Sequence, residues 1–114
     1  MILILSEKAN TKQIVEVTKA YSNYTKVVVD VEKELLAAGG EYHADCEQVL
    51  LANNSIQSNL WSGGYRFNTK EVDFMGLTNY KPNINHLSYE IAIPEIRQKV
   101  EQVIRQIFDE QNKT

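Results

Sequence analysis

The sequence predicts an α+β protein: a mainly antiparallel sheet of about five to six strands, with an N-terminal and a C-terminal helix on one face. Three observations predict it. Apolar residues recur at helical spacing near the two ends of the chain. Between them, β-branched and aromatic runs are punctuated by Gly, Asn and Pro. The turns are too short to hold crossover helices, so neighbouring strands are expected to run antiparallel.

Ile2 to Leu5 is a short apolar run suited to a strand. Asn10 or Thr11 caps a first helix with apolar positions Ile14, Val17, Tyr21 and Tyr24. Lys26 to Leu36 opens with three valines and then alternates, which favours a strand because β-branched side chains sit well on a pleated surface. Ala37-Ala38-Gly39-Gly40 reads as a turn, since paired glycines accept positive φ. Glu41 to Ala52 then fits a second strand, with a helix over 43–52 as the alternative. Asn53-Asn54-Ser55 is a second turn, and Ile56 to Phe67 a strand interrupted at Gly63-Gly64. Phe74 to Tyr80 is a strand stopped by Pro82, and Leu87 to Ile91 a short strand after a polar loop at Asn83 to Asn85. Pro94 and Glu95 open a helix over residues 94–110. Its stripe is Ile96, Val100, Val103, Ile104 and Ile107, with Glu95–Lys99 and Glu101–Arg105 as i,i+4 pairs.

A length of 114 residues is expected to form one domain, 1–114, able to fold without staples. Cys46 is alone, which rules out an internal disulfide and a cysteine zinc site within one chain. No apolar run is long enough to span a membrane, and no basic leader precedes the first apolar residues, so a cytoplasmic location is expected. The net charge of −3 argues against nucleic acid as the main partner.

That net charge is uneven. Asp30 to Glu47 holds six acids and Lys33, a local charge of −5, and the rest of the chain is slightly basic at +2. If Gly39-Gly40 closes a two-residue hairpin, Glu34 faces Asp45 and Glu32 faces Glu47. Asp30, Glu32, Glu34, Asp45 and Glu47 then share one face with His43 at its edge, while Val27, Val29, Ala44 and Cys46 share the other. Opposed carboxylates on a sheet repel. A divalent cation, basic side chains from elsewhere, raised carboxylate pKa values, or water would offset the repulsion. As a helix, 43–52 would instead set His43 and Glu47 one turn apart, a common metal-ligand spacing.

The string Gly39-Gly40-Glu41-Tyr42-His43-Ala44-Asp45-Cys46-Glu47 is followed by Leu50-Leu51, Ser55, Gln57 and Leu60-Trp61. Asn79-Tyr80-Lys81-Pro82 and Ser88-Tyr89-Glu90-Ile91 precede the last helix. Together these resemble a small bacterial family known only as a domain of unknown function, over most of the chain. Three positions depart from its pattern: Asn54 stands for a turn glycine, Ser62 intervenes after Trp61, and Lys81 replaces an arginine. The resemblance implies no activity. It does imply that Glu41, His43, Asp45 and Glu47 belong to a defined site.

Two functional classes follow. The first is a small binding or regulatory protein, alone or as a homodimer, that docks a basic partner on the acidic hairpin. The second is a metal-assisted hydrolase in which Glu32, His43, Asp45 and Glu47 hold Mg, Mn or Zn, and Lys81 or Arg66 orients an anionic substrate. Gln57, Trp61, Lys81, His86 and Ser88 are candidates for a pocket. The bland readings are a core tryptophan, an inert Cys46 thiol and a loop histidine. No Gly-x-Ser-x-Gly elbow supports a serine triad, and Gly63-Gly64 lacks the ending of a phosphate loop.

Overall fold

The computed structural model describes residues 1–109. Five strands, all antiparallel, form one sheet in the order β1-β3-β2-β4-β5. They are β1 (Leu3–Leu5), β2 (Tyr24–Asp30), β3 (Leu35–Ala38), β4 (Leu60–Arg66) and β5 (Glu71–Asp73). Three helices accompany them: α1 (Thr11–Val17), α2 (His43–Ala52) and α3 (Pro94–Phe108). The last predicted position of the C-terminal helix, 110, lies outside the described residues.

Alternation along β2 sets the layers. Val27 and Val29 join Val17 of α1 and Val100, Val103, Ile104 and Ile107 of α3 in the larger core. Val28 points the other way and meets Cys46 and Leu50 of α2 together with Ala37 and Leu60. All three valines are fully buried, each contributing about 1.5–3 kcal/mol of transfer free energy. The N- and C-terminal helices therefore share one face, as expected, and α2 covers the other.

Several local predictions are corrected. The first helix ends at Val17, where Thr18 returns its hydroxyl to the Ile14 carbonyl, and Tyr24 starts β2 instead. Lys26 to Leu36 is two strands joined by a tight turn. The buried Asp30 carboxylate accepts the N–H groups of Glu32 and Lys33 at 3.0 and 2.9 Å, and Glu34 takes a left-handed φ of 58°. Such a turn recruits an aspartate at its first position. Gly39-Gly40 closes no hairpin; it carries the chain from β3 into α2. Gly39 has φ 101°, and a Cβ there would lie 2.9 Å from the Met1 carbonyl, so no other residue fits.

Residues 43–52 are helical. Cys46 and Leu50 are four apart, which is two strand periods and about one helical turn, so both readings bury the same pair. What selects the helix is its start, where Asp45 Oδ2 accepts the Tyr42 N–H. The strands predicted at Phe74–Tyr80 and Leu87–Ile91 are also absent. A 3₁₀ turn at Leu77–Asn79 and one isolated bridge, Met75 to Glu90, stand in their place.

That segment is fastened to the sheet by Asn79. β5 pairs with β4 only from Gly64 onward, which leaves the outward N–H and C=O of Ser62 beyond its reach. The fully buried Asn79 amide fills the gap. Its Oδ1 accepts Ser62 N–H at 2.7 Å, and its Nδ2 reaches the carbonyls of Ser62, Phe74 and Tyr89 at 3.2, 2.9 and 3.0 Å. Asn79→Ala is expected to cost about 3 kcal/mol or more, because buried backbone groups lose their partner without gaining water. Asn83→Ala, on the exposed side of the same segment, should stay within about 0.5 kcal/mol of wild type, both variants being read by urea titration.

Candidate functional site

The helical path of 43–52 divides the acidic residues. Glu32 sits in the exposed β2–β3 turn, and Glu41 is exposed ahead of α2, its carbonyl accepting the Tyr21 hydroxyl at 2.7 Å. Asp45 faces solvent in the first turn of α2. The predicted facing of Glu34 with Asp45 and of Glu32 with Glu47 does not occur. Among the described residues, no group of three His, Cys, Asp or Glu side chains is placed to hold a metal ion.

His43, at the first position of α2, lies against β4 with Nε2 2.8 Å from the Gly63 carbonyl and donates there. Burial lowers its pKa below the usual histidine range, and the Lys26 charge adds to this against the opposing Gly63 carbonyl and Asp73. The imidazole is thus a neutral clamp between helix and sheet. One turn later, Glu47 leaves the other acids and turns toward the loop segments. Its carboxylate accepts from Gln57 Nε2 at 3.3 Å and from the Thr78 hydroxyl at 3.5 Å.

Glu47 thereby joins the second group of candidates. Lys81 is 2% exposed, and its ammonium donates to the Gln57 carbonyl at 2.8 Å. Its Nζ stands 4.9 Å from the centre of the Trp61 ring, a cation–π contact. Burial pushes the amine down to about 8, with Glu47 opposing. His86 packs edge-on against the same tryptophan at 5.2 Å. Its Nε2 accepts the Ala92 N–H at 3.0 Å, so Nδ1 carries the proton and donates to the Asn79 carbonyl at 2.7 Å. Both ring nitrogens are thereby spent on backbone. Ser88 uses its hydroxyl to accept the Glu90 N–H.

The structure therefore gathers Glu47, Gln57, Trp61, Lys81 and His86, and leaves Glu32, Glu41 and Asp45 outside. Asn79 and Thr78 are buried polar residues that the sequence reading passed over, and Asp30, expected on the acidic face, is buried as a turn cap. Their polar type gave no sign of burial, although Asn79 lay within a stretch already marked by the family resemblance.

These buried polar groups produce an inversion. Within 75–89, Thr78, Asn79, Lys81 and His86 point inward, while Met75, Leu77, Tyr80, Ile84, Leu87 and Tyr89 are exposed, Leu77 at 66% and Leu87 at 61%. The only charge in the segment is the buried Lys81.

The chain belongs to the family described as "Protein of unknown function (DUF5674)", whose model matches residues 3–107. No curated protein and no solved structure gives a significant match. Among the described residues, no helix is long and apolar enough to cross a membrane.

The buried lysine makes a pH test possible. Its folded pKa, about 8, lies below the ordinary 10.5, so the folded state binds fewer protons between those values. The penalty of burying the charge is full below pH 8 and is relieved as pH rises toward 10.5. Wild type should therefore gain stability over that window relative to Lys81→Met, which lacks the group. Parallel urea curves at pH 7.5 and 10 with no difference between the two proteins would contradict the burial of the charge.

Proposed function

We propose that this protein is a protein-binding module whose contact surface is the segment 75–89, with Glu47 of α2 beside it. The single observation that carries the reading is the inversion of that segment. The buried asparagine and histidine serve the fold, but the fold gains nothing from turning two tyrosines, two leucines, an isoleucine and a methionine to water. Six exposed apolar side chains within fifteen residues, Tyr80 and Tyr89 among them in edge-on contact at 5.6 Å, favour a contact site. Interface cores are also depleted in charge and enriched in tyrosine and methionine, which matches the composition here.

The surroundings favour a basic partner. Glu41 and Asp45 are exposed on and before α2, and Glu47 meets Thr78 beside Leu77. A partner segment with apolar side chains flanked by lysine or arginine would fit both surfaces, the apolar part supplying affinity and the charges steering approach. This keeps the acidic docking role expected from the sequence and moves its centre to the loop.

Photo-crosslinking tests the proposal in host cells. A benzoylphenylalanine at position 87 should give one discrete adduct with a basic protein, and the same group at exposed Gln106 of α3 should not. The adduct should weaken as salt is raised and disappear in Leu77→Glu/Tyr89→Glu, a variant expected to keep the parent melting temperature because both side chains are exposed. An adduct indifferent to the double variant would end the proposal. An adduct of twice the chain's mass would replace the basic partner with a second copy.

A further inference from the structure

At the other end of β4, residues Tyr24, Arg66, Thr69, Lys70, Glu71, Val72, Asp73 and Arg105 line an open groove of about 640 Å³. The geometry points to this groove as a binding site for a small phosphate-bearing molecule, separate from the loop surface and independent of the function proposed for it.

The lining holds three cations and two carboxylates, a formal net charge of +1. Both acids of the lining are engaged by donors of the protein. Asp73 accepts the Tyr24 hydroxyl at 2.7 Å on one oxygen and the Met75 N–H at 3.2 Å on the other. Glu71 accepts the Thr69 hydroxyl at 3.1 Å. Of the three cations, Arg105 is held by Glu101 and Asp109. Arg66 and Lys70 have no carboxylate within ion-pair distance among the described residues. The guanidinium carbon of Arg66 lies 5.0 Å from the centre of the Tyr24 ring, a cation–π contact that leaves its N–H groups without a carboxylate partner. A guanidinium and an ammonium that line one groove and lack carboxylate partners suit a phosphate.

The groove is also pre-formed. Lys70 takes a left-handed φ of 64° in the β4–β5 turn, and Arg105 Nη1 donates to its carbonyl at 3.0 Å, tying the turn to α3. The Tyr24–Asp73 pair lies across Gly64, where any Cβ would collide with the tyrosine oxygen. Gly64 is thus what allows the tyrosine and its aspartate to meet across the strand and form one wall of the groove. A volume near 640 Å³ falls in the range of small-molecule sites.

Titrating ¹⁵N-labelled protein with inorganic pyrophosphate tests the assignment. Saturable amide shifts confined to residues 66–73 are expected. Affinity should fall by about tenfold in Arg66→Ala and in Lys70→Ala, the loss of one charge-assisted contact each. It should be unchanged in Lys33→Ala, a lysine in the β2–β3 turn at the far end of the sheet. Linear, unsaturable shifts, or an equal loss in all three variants, would reduce the groove to nonspecific surface charge. Equal affinity for citrate would overturn phosphate as the ligand class. Retained affinity in Arg66→Ala would overturn the placement.

Discussion

The fold depends on one side-chain amide completing a strand that is too short. β5 pairs with β4 over three residues and then departs, and Asn79 supplies to Ser62 both the acceptor and the donor that a continuing strand would have offered. A buried unpaired amide costs as much as a good hydrogen bond is worth, so the next fifteen residues are organised around keeping this one in place. The same amide gathers the carbonyls of Phe74 and Tyr89, and its backbone carbonyl receives His86. Lys81 and His86 bond to each other through their main chains and pack on Trp61. A segment without regular structure is thereby held by polar contacts, and its apolar side chains are left outside.

Much of the architecture was legible because periodicity is robust. The stripe of α3, the three valines of β2 and the antiparallel sense of the sheet all follow from local pattern. Two features defeated the pattern for physical reasons. Cys46 and Leu50 are spaced so that a strand and a helix bury the same atoms, and the deciding group was a carboxylate at the helix start rather than any apolar residue. In the 74–93 region, apolar runs read as strands because exposure was assumed to follow polarity. The structure reverses the assumption there, and no single-sequence rule announces a buried lysine. The candidate residues were partly legible: Glu47, Gln57, Trp61, Lys81 and His86 do converge, although Glu32, Glu41 and Asp45 stay apart from them.

The charge distribution takes on a different meaning in three dimensions. The −5 stretch does not form one repelling face; it is dispersed over a turn, a loop and a helix, and its buried member, Asp30, is a turn cap. Three of the eleven bases outside that stretch, Arg66, Lys70 and Arg105, stand around the groove where β4 ends. Opposite ends of one strand thus present an exposed apolar segment and a groove that mixes three bases with two acids.

Asn79 also links motions. In most sheets an amide is protected by its neighbouring strand; here Ser62 N–H is protected by a side chain that belongs to the outer segment. The segment and the middle of β4 therefore open as one cooperative unit, with a shared free energy of opening. Anything that quiets residues 75–89 slows hydrogen exchange at Ser62, a residue fully buried beneath α2's face of the sheet. The surface is mechanically continuous with the sheet although it contributes no strand to it.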